Sequence, residues 1–139
     1  MNIRTAIGVV LVALATAPPS FAASSCAALT PVSTLAMRKA DAAMIRRDDK
    51  GQVVMAAQIG RIMVEGPWRL VWATPINAER GVYFYRRNAK GTYRLVDTWG
   101  GILPAEERAD GIAWTRRLKG GGPSERLAGC FADAVISGA

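Results

Sequence analysis

From Ser33 onward the apolar residues follow two different periods. "STLAMRKADAAMIRR" repeats at helical spacing, with Met37, Ala40, Asp41 and Met44 on one face. Ser33 or Thr34 suits the N-cap, and Arg46 and Arg47 sit in the last turn, where the helix dipole favours cations. "DDKG" at residues 48–51 predicts a break. "QVVMAAQIGRIMV" fits both periods. Met55, Ile59, Ile62 and Met63 suit a helical face, yet "RIMVEGPWRLVWATP" reads as two strands around Glu65-Gly66-Pro67. The expectation is a helix over residues 52–58 and a strand over residues 61–65.

Strict alternation follows. Trp68, Leu70 and Trp72 interleave with Arg69, Val71 and Ala73 until Pro75 ends the strand. After the polar "INAER", "GVYFYRR" and "TYRLVDTWG" flank "NAKG", which predicts a type I turn with Gly91 left-handed and a bulged hairpin. That turn pairs Asn88 with Thr92, Arg87 with Tyr93, Tyr85 with Leu95 and Tyr83 with Asp97. Tyr83, Tyr85, Tyr93 and Trp99 then share one face, opposite Val82, Phe84 and Val96.

Helical spacing returns at the end. Pro104 begins a helix with Glu106 and Glu107 in its first turn and Arg116, Arg117 and Lys119 in its last, and Gly120 stops it. A second helix starts near Pro123 with the stripe Leu127, Cys130, Phe131, Ala134 and Val135. The predicted class is α+β: an N-terminal helical segment, an antiparallel meander of three to four strands and two C-terminal helices.

The first residues follow another logic. Arg4, the apolar run from Ile7 to Ala15, Pro18-Pro19 and small residues up to Ala22 match a secretory signal over residues 1–22. The apolar run is too short to span a bilayer, and no other stretch is apolar for long enough. Residues 23–31 read as a tether and residues 32–139 as one globular domain. The expected location is periplasmic or secreted. A lipid anchor at Cys26 is disfavoured because Ala23 stands where a lipoprotein signal carries a Leu-like residue. In an oxidising compartment, two cysteines, Cys26 and Cys130, favour one disulfide over two buried thiols. Such a bridge closes a loop of nearly the whole domain, and the chain-entropy account gives roughly 4–5 kcal/mol for it.

Composition narrows the chemistry. The 139 residues include no histidine, which removes Ser-His-Asp and Cys-His pairs and His-based zinc sites. No cofactor is indicated. Formal charge is +7, and loss of Arg4 leaves 7 − 1 = +6. The expected partner is a protein or an anionic envelope component rather than nucleic acid, with no transmembrane segment left after signal removal. Glu79, Asp97, Glu106 and Glu107 are the carboxylates available for glycan hydrolysis, which needs two across a cleft. Met37, Met44, Met55 and Met63 form the weak Cu(I) option, since thioethers suit that ion, although their spacing matches helix faces better.

The order V-E-G-P-W-R-L-V-W, E-R-G-V-Y-F-Y-R-R, G-T-Y-R-L-V, G-G, G-G-P and L-A resembles small periplasmic proteins associated with copper uptake, over Arg61 to Ala134. The resemblance implies a helix, a meander and closing helices. It transfers no catalytic residue.

Two readings of the aromatic hairpin are open. Cross-strand rings stabilise a sheet by a few tenths to about 1 kcal/mol per pair, which explains them as packing. Alternatively Tyr83, Tyr85, Tyr93 and Trp99, with Asp97 among them and Arg80 and Arg87 flanking, form a ligand or partner face. The expected function is a non-catalytic exported binding or accessory protein. The alternatives are a copper-uptake-associated protein and a small carboxylate-dependent cell-wall hydrolase.

Overall fold

The computed structural model describes residues 26–138; the signal assigned to residues 1–22 lies outside them. In chain order the elements are helix α1 (Leu35–Asp48), a 3-10 turn (Ala56–Gln58), strands β1 (Ile59–Glu65), β2 (Trp68–Ala73), β3 (Gly81–Arg87) and β4 (Tyr93–Gly100), a second 3-10 turn (Ala105–Glu107), and helices α2 (Arg108–Arg116) and α3 (Glu125–Ile136). The strands form one antiparallel meander in the order β1-β2-β3-β4. The fold is therefore α+β, with an N-terminal helix, a four-stranded sheet and two C-terminal helices.

β3 is buried at five consecutive positions, Gly81 to Tyr85, so both faces of the sheet are covered. On one face Trp68, Leu70, Trp72, Val82 and Phe84 pack with Leu118 and with Leu127 and Phe131 of α3. On the other, Ile62, Val71, Tyr83 and Tyr85 pack under Ala42 and Ile45 of α1. Strand alternation accounts for the split, because successive side chains point to opposite faces.

α1 begins where expected: the Thr34 hydroxyl accepts from the Met37 N–H. Its buried face is Asp41, Ala42 and Ile45, with Met37 and Met44 partly buried beside them. An aspartate facing the sheet needs a partner. Arg69 of β2 supplies two parallel bonds, Nε to Oδ1 and Nη2 to Oδ2, each 2.7 Å. Asp41 is 1% exposed. The same guanidinium lies 5.9 Å from the centre of the Tyr93 ring.

α3 carries the expected stripe. Leu127, Cys130, Phe131 and Ala134 are buried, and Ser124 caps the helix by accepting from the Leu127 N–H. Phe131 is the hub of the aromatic core, with ring centres 5.0 Å from Phe84 and 5.7 Å from Trp99. Trp114 of α2 stands edge-on to Trp99 at 4.9 Å. The Gly120–Gly122 run has a packing reason beyond the turn. A Cβ on Gly122 would lie 2.4 Å from the Thr115 carbonyl oxygen and 2.5 Å from Arg116 Cα, so only glycine lets α3 start against the end of α2.

Three expectations change. Residues 52–55 are extended rather than helical and only Ala56–Gln58 winds, as a 3-10 turn, so β1 begins at Ile59. Val54 is buried between α1 and the sheet while Val53 and Met55 face outward, which is strand-like alternation. The tether is not a tether from Cys26 onward. Residues 26–30 make a helical turn, Leu29 is in the core, and its carbonyl accepts from Val64 N–H at 2.8 Å on the free side of β1. Cys26 and Cys130 lie at disulfide distance, with Cα atoms 5.5 Å apart at a sequence separation of 104.

The third change is a register shift. The turn forms as read, with Gly91 at φ +79° and Asn88 N–H donating to Thr92 O. Arg87 pairs with Tyr93 and Tyr85 with Leu95. Phe84 then pairs with Asp97, leaving Val96 as an extra residue, so Tyr83 meets Thr98 and not Asp97. Beyond this bulge every β4 side chain is turned over, and Trp99 faces α3 instead of joining the tyrosines.

Removing one member of the Asp41–Arg69 pair leaves a buried charge. Asp41→Ala should lower stability to urea by about 3–5 kcal/mol, whereas Asp41→Leu with Arg69→Met should recover most of the loss. Equal destabilisation by the single and double variants would show that the pair is not what matters at this site.

Candidate functional site

The bulge dissolves the expected aromatic face. Tyr83 and Tyr85 are 3% and 0% exposed, beneath α1 and not beneath the helix that follows Pro104. Tyr93 is half-buried beside them, and its carbonyl accepts from Arg47 Nη2 at 2.9 Å. Trp99 is on the opposite face. Asp97 is exposed and borders a shallow hollow with Trp114, Arg117 and Lys119. Arg87 is exposed at the hairpin end, while Arg80 lies at the far end of β3. These seven residues are core, rim and surface, and they share no single binding surface.

The two buried tyrosines behave as core. Burial raises the pKa of both hydroxyls above the usual tyrosine value, and Asp49 near Tyr83 and Asp48 near Tyr85 push further in the same direction. The Tyr85 hydroxyl is buried with no hydrogen-bond partner among the described residues. Asp48 itself is held below the usual carboxylate range, chiefly by its hydrogen bonds from Arg47. The methionines do not gather either. Met63 is in the α3-side core, Met37 and Met44 are on the α1 side, and Met55 is 54% exposed. The sheet separates Met63 from the pair on α1, so sequence proximity does not bring the four together.

The structure instead assembles a concave site at the opposite end of the sheet from the hairpin turn. The end of β2, the start of β3, the end of β4 and the end of α3 meet there around a cleft of about 550 Å³. Its apolar walls are Trp72, Val82, Trp99, Ile102, Val135 and Ile136. The polar side chains on its rim are Thr74, Glu79 and Arg80. A second hollow, of about 430 Å³, adjoins it across Trp72, Thr74 and Arg80 and reaches Gly60 and Arg61 of β1. Arg80 therefore stands at the junction. Its Nη1 donates to the Gly138 carbonyl just beyond α3, at 2.6 Å, where the helix dipole favours a cation.

Loops at this end are held by one side chain. Asn77 Nδ2 donates to Gly51 O at 2.7 Å, and its Oδ1 accepts from Val53 N–H at 2.9 Å. Ile76 N–H donates to Val53 O, closing the contact. Large apolar side chains exposed among the described residues are Val32, Leu35, Val53, Met55, Ile76 and Ile102; Val53, Met55 and Ile76 belong to the segments that Asn77 ties, and Ile102 to the loop after β4. Ile102, at the cleft mouth, is 88% exposed. The indole Nε1 of Trp99 is buried without a hydrogen-bond partner among the described residues.

Of the carboxylates considered for hydrolysis, Glu79 is the one that lines this cleft, while Asp97 is on the α2 side and Glu106 and Glu107 are exposed in the 3-10 turn before α2. They do not face each other across it. No group of three or more His, Cys, Asp or Glu side chains among the described residues is placed to hold a metal ion. The cleft suits apolar contact with a few directed polar groups, the common composition of ligand sites. Sequence reasoning missed it because its walls come from four separate elements. Trp72 and Trp99 ending strands, and Ile102 beside Gly100-Gly101, were the available signals. No protein-family model, no curated protein and no solved structure matches this chain.

A hydroxyl buried without a partner is dispensable to the fold. Tyr85→Phe should hold or raise stability by up to about 1 kcal/mol, while Tyr85→Ala should cost about 3–5 kcal/mol. The pH dependence has a definite sign. The folded-state pKa of Tyr85 is raised above the usual tyrosine value, so the tyrosine contribution is present below that value. It is lost as pH rises, because the unfolded chain ionises first. Urea titrations from neutral to alkaline pH should show a shallower loss for Tyr85→Phe than for wild type. Identical slopes would mean that Tyr85 ionises as freely in the folded chain as in the unfolded one.

Proposed function

We propose that this chain is an exported, non-catalytic binding or accessory protein, and that it binds at the Trp72–Trp99 cleft. The observation that carries the reading is the cleft itself: apolar walls from three strands and α3 converge where Arg80 stands at the rim. The leader pattern in residues 1–22 and the proximity of Cys26 to Cys130 support an oxidising compartment outside the cytoplasm. Within the described residues no helix is long and apolar enough to cross a membrane. The positive charge, +7 over the full chain and 7 − 1 = +6 without Arg4, favours an anionic component of the envelope as partner.

Export makes a direct prediction. Protein recovered from the periplasm should begin at Ala23 and contain no alkylatable thiol until it is reduced. Two labelled thiols would overturn the compartment and the bridge together. Binding makes another. A detergent-free envelope extract added to isotopically labelled protein should shift the amide signals of Gly81, Gly101 and Gly138 while leaving the Asn88–Thr92 hairpin unmoved. Shifts confined to other regions would remove the cleft from the reading. Hydrolysis of peptidoglycan abolished by Glu79→Gln would replace binding with catalysis.

A further inference from the structure

Resting on the cleft as the binding site, we infer that its ligand is an anionic single-chain amphiphile: an acyl chain along the Trp99 wall, with a carboxylate or phosphate head at Arg80. The argument starts from the walls. Val82, Trp99, Ile102, Val135 and Ile136 present aliphatic and aromatic surface with no polar side chain among them. Ile102 stands almost wholly in water, and a chain laid across it removes that surface from solvent. Trp72 is only 3% exposed, so it serves as floor and offers no open ring face for a sugar to stack on.

The polar groups choose the head. Arg80 and, in the adjoining hollow, Arg61 place two guanidinium groups against the single carboxylate of Glu79. Arg80 uses Nη1 on Gly138 O, and a guanidinium carries five N–H donors, so it retains donors for a second acceptor. The guanidinium groups call for an acceptor, and an anion supplies charge-assisted bonds that a neutral or cationic head cannot. Position agrees with charge: Arg80 lies at the junction of the two hollows, so a head held there leaves the larger, apolar lobe for the chain.

Titration calorimetry of the mature chain with laurate and dodecyltrimethylammonium below their micelle concentrations, and with dodecanol below its solubility limit, tests this. Laurate should bind one to one, tightening roughly fourfold per added methylene from octanoate upward. Dodecanol should bind at least about tenfold more weakly, and the cation not measurably. Arg80→Ala should lose at least about tenfold for laurate and at most about threefold for dodecanol, whose neutral hydroxyl is the weaker acceptor, with Arg80→Lys between. Ile102→Ser should weaken both ligands, with an unchanged circular dichroism spectrum. Flotation with phosphatidylcholine vesicles doped with lysophosphatidylglycerol that laurate reverses assigns the chemistry to a single-chain membrane lipid; laurate binding without flotation assigns it to a free amphiphile. No binding of laurate, equal binding of the cation, or an Arg80→Ala protein that binds laurate as wild type does overturns the inference. If laurate fails while envelope extract still shifts the cleft amides, the ligand class falls and the binding reading stands. If neither acts there, both fall.

Discussion

Burying Val82 and Phe84 on one side of β3 and Tyr83 and Tyr85 on the other forces helices onto both faces of a four-stranded sheet. Antiparallel sheets often leave one face wet, and this one does not. α1 covers the tyrosine face, and α3, backed by Trp114 of α2, covers the phenylalanine face. The domain is small, so each face holds only a thin core. Cys26 and Leu29 extend the α3-side layer by clamping the chain before α1 against α3 and the free side of β1.

Covering the tyrosine face with a short polar helix introduces charge into the interior. α1 contributes Ile45 and Ala42 but also Asp41, and the sheet answers with Arg69. The pair holds the helix in one position more than it adds stability, because desolvation offsets much of the Coulomb attraction. Tyr85 illustrates the opposite choice: its ring fills the core while its hydroxyl goes unanswered. The edges are handled differently. β1 is shielded by the Leu29 turn, whereas β4 is interrupted by a bulge at Val96, a device that spoils a strand as a template for another chain.

The cleft arises from the same layering. α3 ends at Ile136 while β2, β3 and β4 open into loops beside it, so apolar side chains that would continue the core meet solvent instead. The bulge matters here as well. Without the extra residue, Trp99 would sit among the tyrosines under α1, and the cleft would lose a wall. A local irregularity in one strand thereby connects the packing of the aromatic core to the shape of the cleft.

Features that depend on residues near one another in sequence were legible from the sequence alone. Ser33 or Thr34 and the run to Arg47 read as a capped helix, Asn88 to Gly91 as a turn, Trp68 to Ala73 as an alternating strand and Leu127 to Ala134 as a buried stripe. Each rests on a period or a dihedral preference that a short segment expresses by itself. The α+β class followed from their order. Tertiary structure decided the rest. A bulge costs one residue of register, and no local signal marks Val96 as the one left over. Residues 53–55 alternate as a strand would because Val54 finds a place beneath α1, a contact their own composition does not encode. The cleft needed Trp72, Arg80, Trp99, Ile102 and Val135 to converge from separate elements. Periodicity tells which side of an element is apolar; which neighbour covers that side, and where the cover stops, is settled only when the layers pack together.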